Sequence, residues 1–268
     1  MTPFEVFNEH VNQFPIVIDL PHSGTAMTTK MSNELRSDAI LANTDWLLRE
    51  LYGFLSKLGF TMIQNNMNRY LVDPNRNPNG SLTGDYYHLV YATNTFGHQL
   101  YQTPLTTDEI TKRFTQFYRP YHNQLYKLLT QKRQAFGHVL LLDMHSFAEY
   151  TKKTDATTAD IVLGNDFDRT SSLGIYNYFS DAYEKQGYQV SNNFPFRGGY
   201  ITRHYGTMNH VGAIQIEIRY RDYIEDRFFN EEVLTNWNPK QFLCAQQTAR
   251  RIFDQLAWDL QNRNLMVD

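Results

Sequence analysis

Cysteine is almost missing from this chain: Cys244 is the only one in 268 residues. An internal disulfide and a thiolate metal cluster are therefore excluded, and any metal centre must use histidine and carboxylate ligands. Cys244 lies among Phe242, Leu243 and Ala245 in a helix-like stretch. That setting predicts a small core residue rather than a nucleophile. An excess of one charge is also missing. The net charge is −3 with the two signs interspersed, so no basic stripe supports a nucleic-acid partner. No apolar run approaches the roughly 20 residues needed to cross a bilayer. The opening Met-Thr-Pro-Phe-Glu lacks a basic start followed by an apolar stretch. The expectation is a soluble cytoplasmic protein with no membrane partner.

What is present points to a packed enzyme-sized domain. Hydrophobic residues make up 41% and aromatics 15%, which excludes global disorder. The length allows one large domain, here taken as residues 1–268, with a real core. Strand-like and helix-like segments alternate, which favours an α/β fold over segregated domains. Strands are predicted at 15–20, 60–64, 69–73, 138–143, 160–163, 188–191 and 213–219. A helix is predicted over 44–58, with Thr44 as N-cap and Leu47, Leu51, Leu55 and Leu58 as its apolar stripe, ended by Gly59. A long helix over 107–135 should kink or break at Pro120. Helices are also predicted at 171–186 and 240–262, the last packing on Phe242, Ala249, Ile252, Phe253 and Leu256. The stretch 74–105 is rich in Gly, Pro, Asn and Tyr and reads as a functional loop, with 77–103 the candidate lid.

Two histidines stand where apolar strands run out. One run is Pro15-Ile-Val-Ile-Asp-Leu-Pro-His22-Ser-Gly24; the other is His138-Val-Leu-Leu-Leu-Asp143-Met-His145-Ser146. In open α/β sheets such strand ends line the ligand crevice. His22 and His145 together suit a divalent metal, zinc above others, and a catalytic zinc takes three protein ligands. Asp45, expected in the first turn of the helix after the first strand, is the third candidate. Asp143 either orients a ligand histidine or is a ligand itself. The strand Ala213-Ile-Gln-Ile-Glu-Ile-Arg219 alternates apolar residues with Gln215, Glu217 and Arg219, which places those three on one face. Glu217 is the candidate base for a hydrolytic water. Arginines suit carboxylate substrates because their planar fork binds both oxygens. They occur in Asn68-Arg69-Tyr-Leu-Val-Asp73-Pro-Asn75-Arg76 and in Arg197-Gly-Gly-Tyr200-Ile-Thr202-Arg203-His204-Tyr-Gly206. The paired glycines of the second run would let backbone approach a ligand closely.

These runs, in this order and joined by Thr44-Asp-Trp46, Tyr118-Arg-Pro-Tyr-His122 and Gln215-Ile-Glu217, resemble the N-formylglutamate amidohydrolase (deformylase) family across residues 15–225. The chain departs from the family's Asp-Leu-Asn-Arg at Pro74. The resemblance implies a single-domain, three-layer α/β/α fold with a mostly parallel mixed sheet, similar to zinc carboxypeptidases (phosphorylase/hydrolase-like) and cell-wall amidases. It implies zinc on His22, Asp45 and His145, with Glu217 as catalyst. It also implies cleavage of N-formyl-L-glutamate to formate and glutamate in histidine degradation. Arg69, Arg76 and Arg203, with Asn75, Tyr200 and Thr202, are the candidate contacts to an acidic N-acyl amino acid. His204 would orient the substrate or polarise its carbonyl. The alternatives are a related N-acyl amino acid or peptidoglycan amidase, or a metal-free binder of an acidic small molecule.

Overall fold

The computed structural model describes residues 2–148, 157–225, 234, 237–263 and 265. In chain order the elements are β1 (Phe4–Phe7), β2 (Ile16–Leu20), α1 (Thr29–Glu34), α2 (Leu48–Tyr52), β3 (Thr61–Asn65), β4 (Thr83–Gly84), β5 (Val90–Tyr91), α3 (Thr107–Arg113) and α4 (Arg119–Phe136). They continue with β6 (Val139–Phe147), β7 (Ile161–Gly164), α5 (Leu173–Glu184), β8 (Val190–Asn192), α6 (Tyr200–Tyr205), β9 (Val211–Arg219) and α7 (Pro239–Gln261). One seven-stranded sheet runs in the order β1-β3-β2-β6-β9-β7-β8. It is mixed and mostly parallel: β1 on β3 and β7 on β9 are antiparallel, and the other pairings in this sheet are parallel.

Alternation along the central strands builds two different faces. Ile16, Ile18 and Leu20 of β2, Leu140, Leu142 and Met144 of β6, and Ile214, Ile216 and Ile218 of β9 enter the larger core, under α2, α5 and α7. The opposite face changes character along each strand. Val17, Val139, Leu141, Val211 and Ala213 pack under Tyr121, Leu125, Leu128 and Leu129 of α4 and Ile201 and Tyr205 of α6. Farther along the same face come Asp19, Asp143, His145, Gln215 and Glu217, all buried. The apolar halves attach the helices, and the polar halves are left for the site.

Several local expectations are corrected. The helix expected over 44–58 is confined to Leu48–Tyr52, followed by a 3₁₀ turn at Gly53–Ser56. Leu47 is left-handed (φ 57°) and the Asp45 N–H donates to the His22 carbonyl at 3.2 Å. Residues 44–46 are thereby tied to the chain following β2, so Thr44 caps nothing and Asp45 precedes the helix. The stretch 69–73 is a turn, not a strand. Asn68 Oδ1 accepts from the Tyr70 N–H at 2.8 Å, and its carbonyl accepts from Leu71, winding an apolar run that would otherwise extend. β6 continues past 143 to Phe147, buried throughout, so His145 stands inside the strand rather than beyond it. Cys244 is exposed. The packed face of α7 runs through Ala245, Ala249, Ile252, Phe253 and Leu256, and Cys244 falls off it.

The break near Pro120 takes the form of a π-helical turn, Phe114–Tyr118, between α3 and α4. Pro120 has no N–H for the α-helical ladder, and the widened turn accommodates its ring. The irregular stretch 74–105 holds the short pair β4–β5, isolated bridges at Thr93–Gln99 and Leu35–Tyr101, and an assortment of turns. It is pinned by the fully buried Leu89, Val90, Tyr91 and Leu100. Among the described residues, no helix is long and apolar enough to cross a membrane.

Leu142 sits fully buried at the centre of β6, where the sheet cannot close around a void. Leu142→Ala is expected to lower stability by about 2–5 kcal/mol. Urea unfolding would show this as an earlier midpoint at unchanged slope.

Candidate metal centre and active site

His22, Asp45 and His145 converge. One ligand atom from each lies within 4.8 Å of the others, and all three residues are buried. The two imidazoles sit 4.8 Å apart, tilted by 56°. Asp45 Oδ2 lies 3.0 Å from His145 Nδ1 and 3.9 Å from His22 Nδ1. The far side of each ring meets a carboxylate: His22 Nε2 is 2.7 Å from Asp73 Oδ1, and His145 Nε2 is 2.8 Å from Asp143 Oδ1.

That arrangement assigns the tautomer of His22. A proton on His22 Nε2 faces Asp73, which leaves the Nδ1 lone pair of that ring aimed toward Asp45, while His145 Nδ1 hydrogen-bonds Asp45 Oδ2. The outer nitrogen of His145 is contacted by Asn75 Nδ2 at 3.1 Å, with the Asp143 carboxylate beside it. Two imidazole nitrogens and a carboxylate oxygen, all shielded from water, are held together by a cation or a proton between them. The donor set fits a divalent metal. Two imidazoles and one carboxylate are zinc ligands, and the carboxylates behind the rings are the usual second layer of such sites.

The titration of the pair agrees with this reading. Burial, followed by the nearby Arg69, lowers His22 to about 4. Burial also opposes charge on His145. There it is outweighed by Asp143 and then Asp45, and the pKa is held well above the usual value for histidine. Without metal, these carboxylates favour the protonated form of His145. Asp73 meets the same contest: burial would raise its pKa, but Arg69, His22 and Arg76 hold it well below the ordinary carboxylate range.

Asp73 is the residue whose importance sequence reasoning missed. It accepts from His22 Nε2, from Arg69 Nε (3.2 Å) and Nη2 (2.7 Å), from the Asn75 N–H (2.7 Å) and from Tyr91 Oη. The available signal was the Arg69–Asp73 spacing beside a second arginine at Arg76. The turn bearing it is clamped from α4 and the π turn. His122 Nε2 donates to the Pro74 carbonyl at 2.9 Å and Tyr118 Oη to the Arg76 carbonyl at 2.8 Å. Asp143 is held in turn by Thr202 Oγ1 at 2.7 Å.

Glu217 lies directly beside His145 in the register of β6 and β9, on the same buried face. Its pKa is pushed up to about 8, chiefly by burial; His145 opposes this, and Asp45 and Asp143 add to it. A carboxyl group poised there can exchange a proton near neutral pH.

Residues 14–224 match the family model of N-formylglutamate amidohydrolase. The chain belongs to the N-formylglutamate amidohydrolase family. It is 32% identical over 235 residues to an N-formylglutamate deformylase of Pseudomonas putida, a match covering 83% of this chain and 86% of that protein. It is 28% identical, again over 235 residues, to an N-formylglutamate deformylase of Pseudomonas aeruginosa, covering 83% and 87%. The crystal structure of N-formylglutamate amidohydrolase from Ralstonia eutropha JMP134 is similar with a TM-score of 0.83 at 24% identity, covering 99% of this chain and all of that one. A gene product from Agrobacterium tumefaciens shares the fold at a TM-score of 0.66 and 17% identity, covering 96% of each chain.

The remaining candidates of this family member divide by what they touch. Arg69 is buried, with Nε and Nη2 on Asp73 and Nη1 on the Asn43 carbonyl at 3.0 Å. Thr202 is fully buried against Asp143. Asn75 is buried between His145 and the Ile201 N–H. Arg76 lies over the Tyr86 ring at 5.0 Å, with Nε on the Tyr86 carbonyl and Nη1 on the Asn75 carbonyl. Among the described residues its Nη2 has no hydrogen-bond partner. Arg203 is exposed, with Nε on the Gly199 carbonyl at 3.1 Å. His204, also exposed, stacks on the half-buried Tyr200 at 4.9 Å. Among the described residues neither Arg203 nor His204 bonds to the His22–Asp45–His145 cluster.

Replacing Asp73 by Asn keeps the shape and removes the charge behind His22. Zinc affinity is expected to fall about 10–100-fold, read by competition with a chromogenic chelator; unchanged affinity would reject the role given to Asp73. Metal uptake must also displace the His145 proton. Below the raised pKa of that histidine, affinity is therefore expected to weaken by about tenfold per pH unit as pH falls. Titration from pH 8 down to pH 6 would reveal it, and a flat response would contradict it.

Proposed function

We propose that the protein hydrolyses the formyl amide of N-formyl-L-glutamate, releasing formate and L-glutamate, with zinc held by His22, Asp45 and His145. The observation that carries this reading is the buried His–Asp–His cluster, backed by Asp73 and Asp143 and flanked by Glu217, in a member of this family. Bound there, zinc would supply a Lewis acid for the formyl carbonyl and would acidify the hydrolytic water.

Glu217 takes a proton from the attacking water as its oxygen joins the formyl carbon. It then delivers that proton to the glutamate nitrogen as the C–N bond breaks. Burial, which raises the pKa of Glu217, favours its holding the proton between these two halves. Arg76, with a guanidinium nitrogen free among the described residues, anchors a substrate carboxylate, and Arg203 is the second anchor. Partial desolvation against Tyr200 and Tyr205 lowers the pKa of His204. Its neutral ring, stacked on Tyr200, orients the substrate. Arg69 and Thr202 act at one remove, by holding Asp73 and Asp143, and Asn75 by steadying His145. The whole chain is proposed to serve as a single catalytic domain with a zinc carboxypeptidase-like arrangement.

Wild-type protein loaded with zinc is expected to cleave N-formylglutamate faster than N-acetyl- or N-succinylglutamate. Glu217→Gln should retain about one zinc per chain and lose turnover by at least 10²-fold, consistent with the usual worth of a general base. Equal turnover in that variant would remove Glu217 from the mechanism, and a preference for a larger acyl group would overturn the substrate.

A further inference from the structure

Gln215 sits two residues before Glu217 on β9, on the same face, 4% exposed. Both ends of its amide are engaged. The Gly199 N–H donates to Gln215 Oε1 at 2.6 Å, and Gln215 Nε2 donates to Glu217 Oε1 at 2.8 Å. This orientation is forced. Reversing the amide would set its NH₂ against the Gly199 N–H and its oxygen against the Glu217 carboxylate. Glu217 Oε2 accepts no hydrogen bond among the described residues. One oxygen of the base is therefore tethered to the Gln215 amide.

The anchor explains the paired glycines. Sequence reasoning assigned them to close approach of a ligand; the structure gives the space to the protein itself. A Cβ on Gly199 would lie 2.3 Å from Asn75 Nδ2 and 2.4 Å from its Oδ1. That amide reaches His145 Nε2 and accepts from the Ile201 N–H. Gly198 takes φ +114°, in the left-handed region, and a Cβ on Gly164 of β7 would strike its nitrogen at 2.7 Å. The Asp166 N–H donates to the Arg197 carbonyl at 2.7 Å. The glycine loop is thus pinned to β7 on one side. It presents Gly199 to Asn75 on the metal-ligand side and to Gln215 on the base side.

We propose that Gln215 is the positioning residue of the base, and that the Gly199–Gln215–Glu217 chain sets the angle at which the carboxylate meets water. This rests on the reading of Glu217 as the base. A misplacement of about 1 Å in such a group can cost on the order of 100-fold in rate.

Gln215→Glu separates the two functions of the amide. It keeps an oxygen for the Gly199 N–H and replaces the donor to Glu217 by a second carboxylate oxygen. Gln215→Asn keeps both polar groups but is one methylene too short to span them. In the zinc-loaded enzyme both variants are expected to retain zinc and to hold KM for N-formylglutamate within about threefold. Their kcat should fall by about 10- to 100-fold. A kcat within twofold of wild type overturns the proposal. So does a joint loss of zinc, KM and kcat, which would mark Gln215 as a structural residue only. If wild type cleaves none of the three acyl-glutamates, the functional reading fails by itself. Crystal structures of wild type and Gln215→Asn then decide the positional claim, with an unmoved Glu217 carboxylate refuting it.

Discussion

Two imidazole nitrogens and one carboxylate oxygen, all buried, face one another at the polar end of the parallel central strands. Such an arrangement is unfavourable without positive charge at its centre, because low-dielectric surroundings magnify repulsion as readily as attraction. Much of the surrounding architecture keeps it from relaxing. Asp73 and Asp143 hold the outer nitrogens; Arg69 neutralises Asp73, and Thr202 holds Asp143. Asn75 and Gly199 lock the glycine loop against His145. The site is a nested set of hydrogen bonds whose innermost members are the least satisfied by protein alone.

Strand order determines which residues can take part. β6 lies between β2 and β9, so one face of the sheet presents Asp19, Asp143 and His145, Gln215 and Glu217 as neighbours. Each strand begins on that face with Val, Leu or Ala under α4 and α6. Burial of each large apolar side chain there is worth about 1.5–3 kcal/mol, which offsets the cost of sinking acids farther along. The Asp19–Asp143 pairing shows that cost. Burial first, and then Asp143, raise the Asp19 pKa well above the ordinary carboxylate range, against a hydrogen bond from Tyr121.

Residue types that commonly bind ligands serve here in large part as scaffold. Arg69 has the guanidinium expected of a carboxylate receptor, yet all of its nitrogens are engaged by protein. Gly199 has the bareness expected beside a ligand, yet Asn75 fills the space. Chemical identity states what a side chain can do. Which of those capacities remains available depends on neighbours from distant segments.

The central strands, the closing helix and the break near Pro120 were legible in the sequence because they rest on period-2 or period-3.6 patterning and on the missing proline N–H, which are local properties. His22, Asp45, His145 and Glu217 could be singled out because polar residues ending apolar strands are conspicuous. Other features were not local. The helix expected around Asp45 starts only at Leu48, with Asp45 bonded to the His22 carbonyl, and 69–73 was wound by Asn68 although its apolar run reads as a strand. Asp73 behind His22 and Gln215 behind Glu217 acquire their roles from hydrogen bonds spanning 51 residues to one ring and 16 residues to the glycine loop. Composition and periodicity determined the sheet and its polar end. Only the folded chain decided which donors and acceptors met, because a hydrogen bond depends on separation in space and carries no trace of separation in sequence.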